Sequence, residues 1–140
     1  MNSVTQRETM FPARLSSVRE VREFLESFCR ESGIGRPPSL RLNLVVEELF
    51  TNTVTHGHGG DSDSPVWIKL AANNTTVTLT YLDKAPAFNP FGILLRPSLE
   101  GSIEQRKVGG LGVLLANELT AAAEYAYLFG RNRLRMALMR

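Results

Sequence analysis

Glu48, Asn52 and His56 recur at every fourth position within Leu42–Gly60, LNLVVEELFTNTVTHGHGG, so on a helix they stack along one line of the surface. A solvated helix face usually carries Lys, Arg and scattered Glu, which is the plain reading of Glu47. A carboxylate, an amide and an imidazole in a row, with Thr51 and Thr55 beside them, suit the wall of a site better. Two other stretches carry chemistry of a matching kind. Gly109-Gly110-Leu111-Gly112 stands directly before the helical run Val113–Leu119, where glycines let backbone N–H groups approach phosphate oxygens and the helix dipole favours negative charge. Glycines before a helix also simply make turns. Asp83 ends an apolar alternation ahead of a Pro-rich turn, where its carboxylate can accept from the exocyclic amine of a base or merely start the turn.

The elements that must position these groups follow from periodicity. Leu42, Val45, Val46, Leu49 and Phe50 form the buried stripe of the helix that carries Glu48, and Gly57-His58-Gly59-Gly60 ends it. Ser39 is its expected cap, after Pro37-Pro38 prevents the preceding helix from restarting. That preceding helix shows a capping box at Ser17–Glu20, a stripe of Val21, Phe24, Leu25 and Phe28, and a stop at Ser32–Gly35. Residues 5–14 suit a first strand. Val66, Ile68 and Leu70 alternate with Trp67 and Lys69, and Val77, Leu79 and Tyr81 alternate with threonines, which predicts a hairpin turning at Asn73-Asn74. The pattern dissolves over 91–108, a loop long enough to suggest function. Two last strands, about 124–129 and 133–139, flank the expected turn Gly130-Arg131-Asn132. This order predicts an α+β two-layer sandwich, a mostly antiparallel sheet with helices on one face.

Composition narrows the classes. The chain has 140 residues, 43% hydrophobic and 21% charged, with a net charge of +2, which is the size and make-up of one ordinary soluble domain spanning 1–140. Arg131, Arg133, Arg135 and Arg140 alternate with apolar residues as the open face of a strand would, so no nucleic-acid surface is expected. One cysteine, Cys29, excludes an internal disulfide. No signal-like start and no apolar run of membrane-spanning length occur, so a cytoplasmic protein without membrane contact is expected.

In order and spacing the chain resembles the GHKL ATPase/kinase superfamily of gyrase, Hsp90, histidine kinases and MutL, and within it the anti-sigma-factor serine/threonine kinases. Glu48-Leu49-Phe50-Thr51-Asn52-Thr53-Val54-Thr55-His56-Gly57 looks like that superfamily's N box. Asp83–Pro90 is similar to its first glycine box, in the DxGxPFDP form, and Gly109–Gly112 followed by Val113-Leu114-Leu115 to its second. Gly130-Arg131-Asn132-Arg133-Leu134 resembles its last hairpin. The resemblance implies the Bergerat, or histidine-kinase-like ATPase, fold. It implies that Glu48 is the catalytic base, Asn52 the Mg²⁺ ligand and Asp83 the partner of the adenine amine. Ala85 and Phe88 would flank the nucleotide, and the backbone of Gly109, Gly110, Leu111 and Gly112 would cradle the phosphates. Residues 91–108 would form an ATP lid from which Arg106 or Lys107 reaches the γ-phosphate.

Activity and partners are implied in the same way. The chain would use ATP and Mg²⁺ to phosphorylate an anti-sigma-factor antagonist, sequester a sigma factor or similar regulator, and form a homodimer. Ala85 stands where the box has its first glycine and Asn89 where Asp is common, so an added methyl close to the nucleotide is expected to weaken ATP binding. This motivates the alternative of a nucleotide-binding regulatory module that acts by protein binding alone. An ATP hydrolase using water is a third reading. A sensor histidine kinase is set aside because there is no room for a dimerising helical pair with a phospho-accepting histidine.

Overall fold

The structure is a computed structural model that describes residues 5–89 and 120–140. The expected lid, the second glycine box and the helical run after it lie outside the described residues, as do Arg106, Lys107, Gly109, Gly110, Leu111 and Gly112. Five strands form one sheet: β1 (Thr5–Pro12), β2 (Pro65–Ala72), β3 (Thr76–Asp83), β4 (Thr120–Leu128) and β5 (Arg131–Met139). Their order is β1-β2-β3-β5-β4, and every neighbouring pair is antiparallel. Two helices, α1 (Val18–Glu31) and α2 (Arg36–Asn52), share one core with one face of this sheet. This is the α+β two-layer arrangement that the pattern predicts.

Period-two alternation decides which face is buried. Val66, Ile68 and Leu70 of β2, Val77, Leu79 and Tyr81 of β3, and Leu134, Met136 and Leu138 of β5 are all buried against the helices. The helices supply Val21, Leu25 and Phe28 from α1, and Leu42, Val45, Val46, Leu49 and Phe50 from α2. Fully burying each large apolar side chain contributes about 1.5–3 kcal/mol, so this interface holds the layers together. The opposite face carries Lys69 and Arg135 in the open, with Trp67 stacked by Arg131 at 5.3 Å and by Lys84 at 6.0 Å.

Three local expectations differ from what is seen. Ser17 makes no capping hydrogen bond, because a 3₁₀ turn over Leu15–Ser17 already holds it in the αR region, where an N-cap would need extended backbone. The second helix starts three residues before Ser39, with both prolines in its first turn, where a missing N–H costs nothing. The last hairpin turns at Phe129-Gly130, whose φ angles of 55° and 74° make the two-residue turn that matches strand twist. Asn132 is therefore a strand residue of β5, not part of the turn. Among the described residues, no helix is long and apolar enough to cross a membrane.

Candidate functional site

The helical row does not end as a regular α-helix. After Asn52 the chain widens into a π turn over Thr53–Gly57, a local form that often marks functional positions. Gly57 ends this turn beside the segment that leaves β3. On the sheet, the inward alternation of β3 runs Val77, Leu79, Tyr81 and then Asp83. On β5 it begins with Asn132 and continues through Leu134, Met136 and Leu138. Asp83 and Asn132 are paired residues of the β3–β5 ladder, so two polar side chains head two apolar columns side by side. Thr53, at the start of the π turn, reaches Tyr81 and Asp83 of β3.

These groups line a cavity of about 400 Å³, within the range of small-molecule sites. Its walls are Asn52, His56 and Gly57 from the helix end, Tyr81 and Asp83 from β3, Ala85–Phe88 after it, and Asn132 and Leu134 from β5. The predicted Asn52, Asp83, Ala85 and Phe88 are thus brought together, with His56 beside them. Glu48 is half-buried on α2, one turn before Asn52, and is not among the residues that line the cavity.

The polar floor is fully wired. Thr53 Oγ1 lies 2.7 Å from the Tyr81 hydroxyl, 2.8 Å from Asp83 Oδ2 and 3.0 Å from the Leu49 carbonyl. Leu49 O and Asp83 Oδ2 only accept and Thr53 has one hydrogen, so the Tyr81 hydroxyl must be the donor in its pair with Thr53. Burial pushes the Tyr81 phenol well above its ordinary value, with Asp83 adding to the rise and the Thr53 hydrogen bond opposing it. Tyr81 therefore stays a donor at any ordinary pH.

Asn132, 3% exposed, donates through Nδ2 to Asp83 Oδ1 at 2.8 Å and to the carbonyls of Ala85 and Pro86 at 3.0 and 3.1 Å. Its Oδ1 accepts from the Phe88 amide at 3.0 Å and from the Tyr125 hydroxyl. Only this orientation of the amide places donors against acceptors on both sides. Asp83 Oδ1 also accepts from the Ala85 amide at 3.2 Å, which closes the turn after β3.

Ala85 is 3% exposed, and its methyl lies against Gly57. A Cβ added at Gly57 would fall 2.7 Å from the Ala85 Cβ. The methyl that replaces the expected glycine is thus accommodated by a glycine on the facing π turn. Gly57→Ala is expected to cost about 1–3 kcal/mol through overpacking. Adding Ala85→Gly to it should restore most of that loss in urea unfolding, because the double variant exchanges the two methyl positions. A double variant no more stable than the single one would rule this packing out.

Residue type alone does not mark Thr53, Tyr81 or Asn132. Thr53 sits inside the N-box string, Tyr81 reads as one more inward strand residue, and Asn132 reads as a turn. The usable signal was the column Asn132, Leu134, Met136, Leu138, in which one polar residue leads an apolar alternation.

Comparison with known proteins agrees with this fold. The fold matches the crystal structure of the RsbU and RsbW domains of Rv1364c from Mycobacterium tuberculosis with a TM-score of 0.65 at 17% identity. That match covers 97% of this chain and 33% of the other, so the chain spans about a third of that protein's length and the likeness concerns the fold. No curated protein matches the chain. Residues 11–138 match the model of the histidine kinase-like ATPase domain, and the chain belongs to that family.

Proposed function

We propose that this chain is an ATP-dependent protein serine/threonine kinase and anti-sigma factor. In this reading it phosphorylates a Ser or Thr of an anti-sigma-factor antagonist, sequesters a sigma factor or similar regulator, and works as a homodimer in the cytoplasm. The observation that carries the nucleotide part is the buried Asp83 carboxylate on the floor of a 400 Å³ cavity, with Asn52 on the wall above it. Membership of the ATPase family supports ATP as the ligand. The motif resemblance supports the protein substrate, and the fold shared with a third of the RsbU and RsbW chain accords with it.

Phosphoryl transfer asks a protein chiefly for positioning and charge neutralisation. Asp83 accepts a hydrogen bond from the adenine amine and sets the depth of the base. Asn52 fits a hard cation, since it lines the cavity and carries a neutral amide oxygen, and phosphate oxygens and water complete such a shell. Mg²⁺ held there would supply positive charge to the phosphates. Gly109, Gly110 and Gly112 offer backbone amides to the phosphates, and Arg106 or Lys107 the lid cation, by motif position. Glu48 accepts the proton of the attacking Ser or Thr hydroxyl as its oxygen bonds to the γ-phosphorus and the bridging oxygen leaves with ADP.

The test is incubation of the protein with γ-labelled ATP, Mg²⁺ and candidate antagonist proteins from its own cell. Label appearing as phosphoserine or phosphothreonine on one of them is the expected result. ATP binding in calorimetry without transfer to any antagonist would leave the regulatory module in place of the kinase.

A further inference from the structure

The sheet face turned away from the helices carries an apolar band with two cations set into it. Directly opposed residues of an antiparallel pair share a face. Met10 opposes Trp67, Trp67 opposes Leu82, and Leu128 opposes Arg131, which reaches back to stack on Trp67 at 5.3 Å. Lys84 lies over the same indole at 6.0 Å. Stacking on a ring holds a cation in place without neutralising it. Among the described residues neither Lys84 nor Arg131 forms an ion pair, whereas Arg133 and Arg135 on the same face share Glu124.

The band ends at Phe129, 94% exposed at the tip of the last hairpin. Its φ of 55° belongs to a turn position that favours Asn, Asp or Gly. A bulky residue there destabilises the turn, and a ring in water adds nothing to the core to offset that. Such outliers cluster where a ligand is held.

We infer that this band is a docking surface for a short segment of a partner protein rich in both carboxylates and large apolar side chains. The apolar groups pack on Trp67, Leu128 and Phe129, and the carboxylates pair with Lys84 and Arg131. Charge selects this occupant. A wholly apolar partner would bury two cations unpaired. A second copy using the same patch would bring both sets of cations into one interface. A broad polyanion would extend over Glu8 and Glu124, which stand on the same face opposite Lys69 and Arg135. A narrow acidic segment meets only the end of the sheet where the cations are free. Aromatic residues, Met and Arg are also the types that anchor protein interfaces. The band faces away from the nucleotide cavity and does not depend on the nucleotide reading.

Trp67 is the only tryptophan of the chain, so its emission reports on this face. A random tryptophan-free peptide library displayed on phage is panned against the whole chain, and the enriched peptides are synthesised and titrated while that emission is read. They should combine Asp or Glu with Leu or Phe, shift the emission saturably and bind more weakly in high salt. Replacing Lys84→Gln and Arg131→Gln together should weaken them at least about tenfold, the scale of one lost hydrogen bond to a charged group. Phe129→Asn should also weaken them while raising the melting temperature, because Asn suits the turn. Weaker binding by a more stable protein separates a lost contact from a damaged fold. Panning that enriches nothing, or enriches peptides without carboxylates, would overturn the inference. So would binding that leaves Trp67 emission unchanged, survives the double variant or is equal in Phe129→Asn. Single-stranded RNA and vesicles containing phosphatidylserine are titrated in parallel, and a shift with either where no peptide gives one would assign the face to a polyanion instead.

Discussion

Asp83→Asn is expected to weaken ATP binding on the order of 100-fold while the protein stays folded. The amide oxygen can take the place of Oδ1 and still accept from Asn132 and the Ala85 amide. Its NH₂ then stands where Oδ2 was, against Thr53 Oγ1, and Thr53 turns its own hydrogen to the Leu49 carbonyl 3.0 Å away. The network is satisfied again, so little stability is lost. The cavity now presents a donor to the adenine amine where it had presented an acceptor. Loss of a charge-assisted hydrogen bond and a donor facing a donor combine in one direction. Calorimetric titration reads the affinity and a thermal melt checks the fold. An affinity within about threefold of the wild type would mean that Asp83 does not read the base. Asp83→Ala is the poorer experiment, because it leaves the Thr53, Asn132 and Ala85 donors buried and unpaired and unfolds the site it is meant to probe.

Glu48→Gln is expected to lower the rate of phosphoryl transfer to a protein hydroxyl by about 10²–10⁴-fold, the usual range for losing a general base. ATP affinity should stay within about twofold, because Glu48 does not line the described cavity. That split between rate and binding is the signature of a group used only in the transition state. The neighbouring Glu47 provides the control. Its carboxylate is held by Arg22 through two hydrogen bonds, at 3.0 and 3.1 Å, on the exposed side of the α1–α2 pair. Glu47→Gln removes a surface ion pair and should change neither rate nor affinity appreciably. Equal transfer rates in the Glu48 and Glu47 variants would exclude Glu48 as the base.

The two predictions differ in how far the amino-acid order alone could support them. Period-two and three/four spacing reports which side of an element is buried, because burial acts residue by residue on a regular backbone. That is why the hairpin of β2 and β3, the stripe of α2 and the two-layer class were legible, and why Asn52 and Asp83 stand out as polar positions that the fold brings to one cavity. Spacing is silent where the backbone leaves the regular forms. The π turn at Thr53–Gly57 and the two-residue turn at Phe129-Gly130 each shift a facing by one position, and with it the role of Thr53, Gly57 and Asn132. Ala85 read by itself is a missing glycine; in three dimensions its methyl lies against Gly57, twenty-eight positions earlier in the chain. Tyr81 looks like one more inward strand residue until the fold sets its hydroxyl 2.7 Å from Thr53. Amino-acid order by itself determined which layers form and which carboxylate and amide stand out from their apolar surroundings. Only the tertiary structure decided how that carboxylate is shared out, because hydrogen bonds between β3, β5 and the end of α2 depend on distances that no local pattern encodes.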